Sequence, residues 1–265
     1  MVNKEIQTAK QSAPEQRGNG RRGGRGVVRE VVVSRTQQLS PHLKRVVLTG
    51  DSLSDFPEDQ QGAYVKLRID QGSEKLIMRS YTIQAFDPSK RELSLDFVVG
   101  QHVGPATDWA DTVSVGQKVS IGGPGPRKMD YFDASTYLLV GDLTSINAVI
   151  AYANLIDSSA TVHAFLEAPS SEDFLAIDWP KNVQVSWHLA EKGKHDSIVE
   201  AVKQMESLPV DTHVFIASEA SVFRELRRFV RDNVGLPNEQ LFASAYWKEG
   251  KDSDQLSMDK LQDTI

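Results

Sequence analysis

Residues 137–166 read YLLVGDLTSINAVIAYANLIDSSATVHAFL, and their periodicity decides the fold of the second half of the chain. Tyr137–Val140 is a short unbroken apolar run, the pattern of a strand buried on both faces. Ser145–Ile156 follows with helical spacing, and Thr161–Leu166 returns to a strand. The alternation continues with a strand at Val183–Leu189, a helix at Ser197–Met205, a strand at His213–Ala217, a helix at Ser221–Val234 and a strand at Gln240–Tyr246. Strands alternating with helices predict a parallel sheet covered on both faces, a Rossmann-like α/β domain over residues 131–250. Ligands of such sheets lie at the carboxyl ends of the strands. Those ends are Gly141-Asp142-Leu143-Thr144, Glu167, Ser218-Glu219 and Tyr246-Trp247-Lys248.

Upstream the period changes. VVREVVVSRT, LKRVVLTG, AYVKLRI, KLIMRSYTIQ, ELSLDFVV and QKVSI are short, β-branched and partly alternating, with turn residues between them. Several such strands within about 100 residues predict a closed or nearly closed antiparallel barrel, placed at residues 27–130. Gly122-Gly123-Pro124-Gly125-Pro126 is expected to break regular structure, with the domain boundary shortly after it.

The 265 residues suit two domains, and they contain no cysteine. That excludes disulfides, thiolate zinc sites, cysteine-ligated iron–sulfur clusters and thiol nucleophiles, so any electron handling needs a bound cofactor. The formal net charge of -6 hides an asymmetry. Residues 1–26 carry six basic against two acidic side chains, a net +4, which leaves -10 for the rest. The Gly/Arg-rich run RGNGRRGGRG marks residues 1–26 as a basic disordered tail. Residues 251–265 form a polar tail or a docking helix. No apolar run approaches the roughly 18 residues of a membrane span, no secretory core is present, and a cytoplasmic location with no membrane partner is expected. The acidic balance argues against nucleic acid as a partner. The six histidines have no metal-ligand spacing and read as structural, with no metal site.

Two motifs carry chemistry. In Arg79-Ser80-Tyr81-Thr82, alternation sets Arg79 and Tyr81 on one face and Ser80 and Thr82 on the other. A guanidinium beside a phenol suits an aromatic ring joined to a phosphate. In His102-Val103-Gly104-Pro105-Ala106-Thr107-Asp108-Trp109-Ala110, a Gly-Pro turn opens a helix whose first N–H groups can meet an anion.

These motifs stand in order with Asp96-Phe97-Val98, Gly141-Asp142-Leu143-Thr144 and Ala245-Tyr246-Trp247-Lys248-Glu249-Gly250. Together the five resemble the siderophore-interacting protein family, flavin-dependent ferric-siderophore reductases distantly similar to ferredoxin-NADP reductases. The resemblance covers roughly residues 27–250. It implies FAD bound between barrel and α/β domain. Arg79, Ser80, Tyr81 and Thr82 would hold the flavin and its phosphates, and Asp96, Phe97, Val98 and Val99 would run beside the ring. His102, Gly104, Pro105, Ala106 and Thr107 would face the diphosphate. Thr144 would lie near the ring, and Tyr246 and Trp247 would close the site. No general acid or base is implied, since electrons pass through the flavin. The chain departs from the family pattern at Gly100-Gln101, where a His-Gly pair is common, and in GDLTSINA at Leu143 and Asn147.

The implied substrate is a ferric siderophore, an anionic Fe(III) chelate, and Lys66, Arg127 and Lys248 are the matching basic positions. The implied electron donor is NADH, NADPH or reduced ferredoxin. Glu167, Glu172 and Asp173 would repel a 2′-phosphate, which favours NADH over NADPH. Arg224, Arg227, Arg228 and Arg231 form a helical stripe that an acidic ferredoxin could use. A general NAD(P)H–flavin oxidoreductase and a non-catalytic ferric-siderophore binder are the alternative functions.

Overall fold

In a computed structural model, residues 27–70, 76–101, 104–190, 194–205 and 208–251 are described. The basic tail, residues 252–265 and His102 lie outside them.

The first half is a closed barrel of six antiparallel strands in the order β1-β2-β5-β4-β3-β6. They are β1 (Val28–Ser40), β2 (Leu43–Thr49), β3 (Tyr64–Ile69), β4 (Ile77–Asp87), β5 (Glu92–Val98) and β6 (Lys118–Gly125). Alternation sorts the side chains. Along β3, Val65, Leu67 and Ile69 enter the core while Lys66 faces out. Helix α1 (Pro105–Thr112) connects β5 to β6 and sends Trp109 and Ala110 into that core.

One expectation fails here. Gly122–Gly125 does not end regular structure but forms the last half of β6, paired with β3 through Lys66↔Gly122 and Tyr64↔Gly125. The glycines serve the pairing. The Tyr64 ring lies across Gly125, where a Cβ would stand 2.2 Å from Tyr64 Cζ. Glycine here admits close approach rather than a break.

The second half is a parallel five-stranded sheet in the order β11-β10-β7-β8-β9. Its elements are β7 (Thr136–Asp142), α2 (Ile146–Leu155), β8 (Thr161–Ala168), β9 (Val183–Leu189), α3 (Asp196–Lys203), β10 (His213–Glu219), α4 (Ala220–Arg228) and β11 (Leu241–Trp247). Tyr137 and Leu139 of β7 meet α2 on one face, while Leu138 and Val140 meet α3 and α4 on the other. The helix expected over 221–234 is α4 followed by a wider π turn, Phe229–Val234. From β7 the chain runs outward through β8 and β9, then returns to β10 on the other side. The topological switch point lies between β7 and β10, where such sheets open a ligand crevice.

Polar seams join the domains. The Tyr152 hydroxyl of α2 donates to Gly62 O at 3.2 Å and accepts from Lys128 N at 2.9 Å. The fully buried Asp173 accepts from Ser40 Oγ at 2.7 Å and His42 N at 2.9 Å, and meets His42 Nδ1 at 2.6 Å. Asp173→Ala would strand these donors away from water. We expect a loss of about 2–4 kcal/mol of stability in urea unfolding. A loss below about 0.5 kcal/mol would show the seam to be incidental.

Candidate flavin crevice and the carboxyl edge of the sheet

Three of the five motifs meet through their rings. Tyr81 of β4 packs at a tilt on Phe97 of β5 with centroids 4.1 Å apart, and Phe97 meets Trp109 of α1 at 5.3 Å. Burial pushes the Tyr81 hydroxyl pKa up, with nearby Arg79 opposing. Arg79 lies two residues along the same strand face. Ser80 and Thr82 face the other way, opposite Lys66 and Tyr64. The column anchors α1, whose N-terminus carries no side-chain cap. Nothing lies within 4 Å of where a Cβ at Gly104 would be. The first-turn N–H groups of Ala106 and Thr107 and the Arg79 side chain suit a diphosphate, and the phenol suits a flat ring. These residues fit FAD.

The Asp96–Val99 segment divides. Phe97 and Val99 enter the barrel core, and Val98 packs toward the α/β domain. The Asp96 side chain, 2% exposed, is held in a fork by Arg45 (Nε to Oδ1 2.7 Å, Nη2 to Oδ2 2.8 Å) and by Asn147 Nδ2 of α2 at 3.1 Å. The Arg45 pKa is raised, chiefly by its hydrogen bond to Asp96. Asn147, a departure from the family pattern, therefore ties barrel to sheet.

The remaining two motifs also meet. Asp142, at the end of β7, accepts from Thr144 N at 2.8 Å, from the Thr144 hydroxyl, and from Trp247 Nε1 at 2.7 Å. Ser145 Oγ donates to Ala217 O at 2.6 Å and accepts from Asp142 N at 3.1 Å. That hydroxyl sits 2.4 Å from where a Cβ on Gly141 would be, which is why glycine precedes the aspartate. Thr144 and Trp247 are thus brought together. Tyr246 packs on the sheet core beside them, its hydroxyl pKa pushed up by burial.

At the same edge, Glu167 of β8 and His195 are both buried and joined Oε2 to Nδ1 at 2.5 Å. Burial raises the Glu167 pKa, with His195 opposing. For His195, burial disfavours the charge, but Glu167 outweighs it, Glu219 and Asp142 add to that, and the pKa is raised. Glu219, at the end of β10, is also burdened by burial. Hydrogen bonds from Ser221 Oγ and N and from Glu249 N outweigh this and lower its pKa. A cavity of about 110 Å³ opens here, lined by Val98, Thr144, Glu167, His195 and Trp247 among others.

The three basic positions stand on three different segments. Lys66 is exposed on β3, beside Ser80 and Gly122 of its neighbours. Arg127 spends its guanidinium on the loop carbonyls of Gln61 (2.8 Å) and Asp59. Lys248 stands on the α/β domain in a turn bridged to Lys251. Lys128, not singled out in the sequence, lies 4.6 Å over the Tyr64 ring on the barrel side. The four arginines of α4 and its π turn are all exposed. Arg45 and His195 are the residues that motif reading passed over, since each acts on a partner at least 28 residues away; Asn147 stood out only as a departure, without its Asp96 partner.

A closed antiparallel barrel followed by a parallel five-stranded sheet with helices is a two-domain fold of the ferredoxin-reductase class. A solved ferredoxin reductase of carbazole 1,9a-dioxygenase shares that fold, with a TM-score of 0.65 over 83% of this chain and 70% of that one, at 17% identity. The profile described as siderophore-interacting protein matches residues 134–250, and that of the siderophore-interacting FAD-binding domain matches 32–75 and 68–128. The chain belongs to the siderophore-interacting protein family. It is 28% identical to the ferric vibriobactin reductase ViuB of Vibrio cholerae over 243 residues, 83% of this chain and 89% of that protein. The siderophore-interacting protein SipS of Aeromonas hydrophila superposes with a TM-score of 0.82 at 29% identity, over 90% of this chain and 98% of that one.

The His195 proton gives a pH test. A raised folded-state pKa contributes stability that is fully present below the unfolded value of about 6.5 and fades as pH rises through the folded value. The stability gap between wild type and His195→Asn, measured by urea unfolding, is expected to be larger at pH 6 than at pH 9. An equal gap at both would contradict the assignment.

Proposed function

We propose that the protein is an FAD-dependent ferric-siderophore reductase that acts in the cytoplasm, reducing Fe(III) in an anionic chelate to Fe(II). The observation that supports this reading is the Tyr81–Phe97–Trp109 ring contact, which ties the strand that carries Arg79 to the helix that opens after Gly104. Bound FAD supplies the conversion of a two-electron input into the single electrons that iron accepts. Arg79 pairs with the diphosphate, and the N–H groups of Ala106 and Thr107 donate to it. The Tyr81 side chain packs against the ring system, and Trp247, fixed by Asp142, bounds the site on the sheet side. Fe(II) binds hard oxygen ligands less well than Fe(III), so reduction releases the metal. Lys66, Lys248 and Arg127 attract the anionic chelate to a body that is otherwise acidic.

The chemistry needs no proton shuttle at the iron, and the chain supplies positioning and charge. The likeness to ViuB, a ferric vibriobactin reductase, supports the reductase over a plain flavin oxidoreductase. Arg79→Ala is expected to weaken FAD binding at least tenfold, by loss of a charge-assisted hydrogen bond, in fluorescence titration of the apoprotein. Lys248→Ala, with flavin content unchanged, is expected to weaken ferric-chelate binding about threefold to tenfold. FAD affinity unchanged by Arg79→Ala would remove the diphosphate assignment.

A further inference from the structure

The chain enters the barrel beside the basic positions. The Val27 carbonyl accepts from Gly123 N at 3.3 Å, and Val28 pairs with Gly122. Gly122 pairs on its other side with Lys66, and Lys66 pairs with Ser80. Val28, Gly122, Lys66 and Ser80 thus form one row across β1, β6, β3 and β4. Alternation turns the row outward, and Val28, Lys66 and Ser80 are all exposed. Nothing lies within 4 Å of where a Cβ on Gly122 would be, so the row is open between Val28 and Lys66. Arg127 and Lys128 follow directly after β6, and Lys128 lies over the ring of Tyr64, two residues before Lys66 on β3. Glu30 is the one acid on β1, and it stands a row farther on, opposite Ser120.

The segment that enters here is the most basic in the chain. Residues 17–26, RGNGRRGGRG, hold four arginines and no acid. Arg25 precedes Val28 by three residues, a span of up to about 10 Å. Two strand spacings, also about 10 Å, separate Val28 from Lys66. Arg25 therefore has the reach to stand over the Lys66 row, and Arg22 and Arg21 have more. Charge selects what these arginines attract. The rest of the chain carries a net -10 and repels anions on average, so an anionic substrate needs a local field of opposite sign. A compact anion meets that field alone. A long polyanion would also run over the acidic body.

We propose that Arg17, Arg21, Arg22 and Arg25 are specificity-determining residues for the ferric chelate: rooted beside Lys66 by the pairing of Val27 and Val28, they draw in anionic chelates in preference to neutral ones. The inference rests on the reductase reading above and adds to it the charge class of the substrate. No bond forms or breaks in this step. The attraction acts on the association rate and is screened by salt over about 8–10 Å at ordinary ionic strength.

The test uses the full FAD-loaded chain as wild type and two variants, Arg17/Arg21/Arg22/Arg25→Gln and the same four positions →Lys. Stopped-flow fluorescence follows association with a ferric tris-catecholate, which is a trianion, and with a neutral ferric tris-hydroxamate. In the Gln variant the trianion is expected to associate about fivefold to tenfold more slowly at about 20 mM salt, with flavin content unchanged. The gap should shrink below about twofold at about 0.5 M salt, and the neutral chelate should show none. The Lys variant, which keeps the charge, should stay within about twofold of wild type. An unchanged trianion rate in the Gln variant would overturn the proposal, and retardation of a single-stranded RNA by wild type alone would then assign the arginines to nucleic acid. Equal slowing of both chelates, or a Lys variant as slow as the Gln variant, would overturn the charge mechanism. In parallel, wild-type flavin reduced by dithionite is offered both chelates. Failure of either to reoxidise it, with trianion association still dependent on the arginines, would sink the reductase reading and leave the capture role standing.

Discussion

A carboxylate taken out of water must be satisfied where it stands, and the geometry of the crevice follows from how this chain meets that demand. Asp96, Asp142 and Asp173 are all buried, and each accepts hydrogen bonds from a different element. Arg45 and Asn147 hold Asp96 between barrel and α2, Trp247 draws Asp142 toward β11, and Ser40 and His42 hold Asp173 against the barrel. An ion held at several points cannot slide without exposing an unpaired charge to low dielectric. The barrel and the sheet are therefore registered by ions rather than by apolar contact alone. Glu167 differs, since one of its oxygens has no partner among the described residues. That contrast separates carboxylates held by several elements from one paired through a single oxygen to His195.

The fold follows from period and from punctuation. The alternation of apolar runs in residues 137–246 is the alternation of strand and helix in the structure, because each element must bury one stripe or both faces. The barrel strands are legible for the same reason. The glycine run at 122–125 is where this logic fails. Gly-rich sequence usually marks a break, but here the missing side chains make room for the Tyr64 ring within a continuing strand. Whether a glycine frees the backbone or admits a neighbour depends on what is packed above it, and that partner lies about 60 residues away.

The site divides in the same way. Local motifs such as Arg79–Thr82 and Gly141–Thr144 are visible because their roles are set by strand faces and by a tight turn. Arg45 and His195 are not, because each earns its place from a carboxylate at the end of another strand. His195 has no ligand spacing, and a lone histidine ahead of a short helix looks structural until Glu167 is found against its Nδ1. Asn147 stood out as a departure from a pattern, yet only the fold shows that its amide reaches Asp96.

The central claim is that this crevice holds a flavin that delivers electrons to chelated iron. The most direct measurement is an anaerobic stopped-flow trace of the FAD-loaded protein, reduced by dithionite and mixed with a ferric siderophore in the presence of an Fe(II) trap. Return of the oxidised flavin spectrum, with two Fe(II) trapped per flavin, is the predicted result. Flavin that stays reduced in the presence of bound chelate would contradict it.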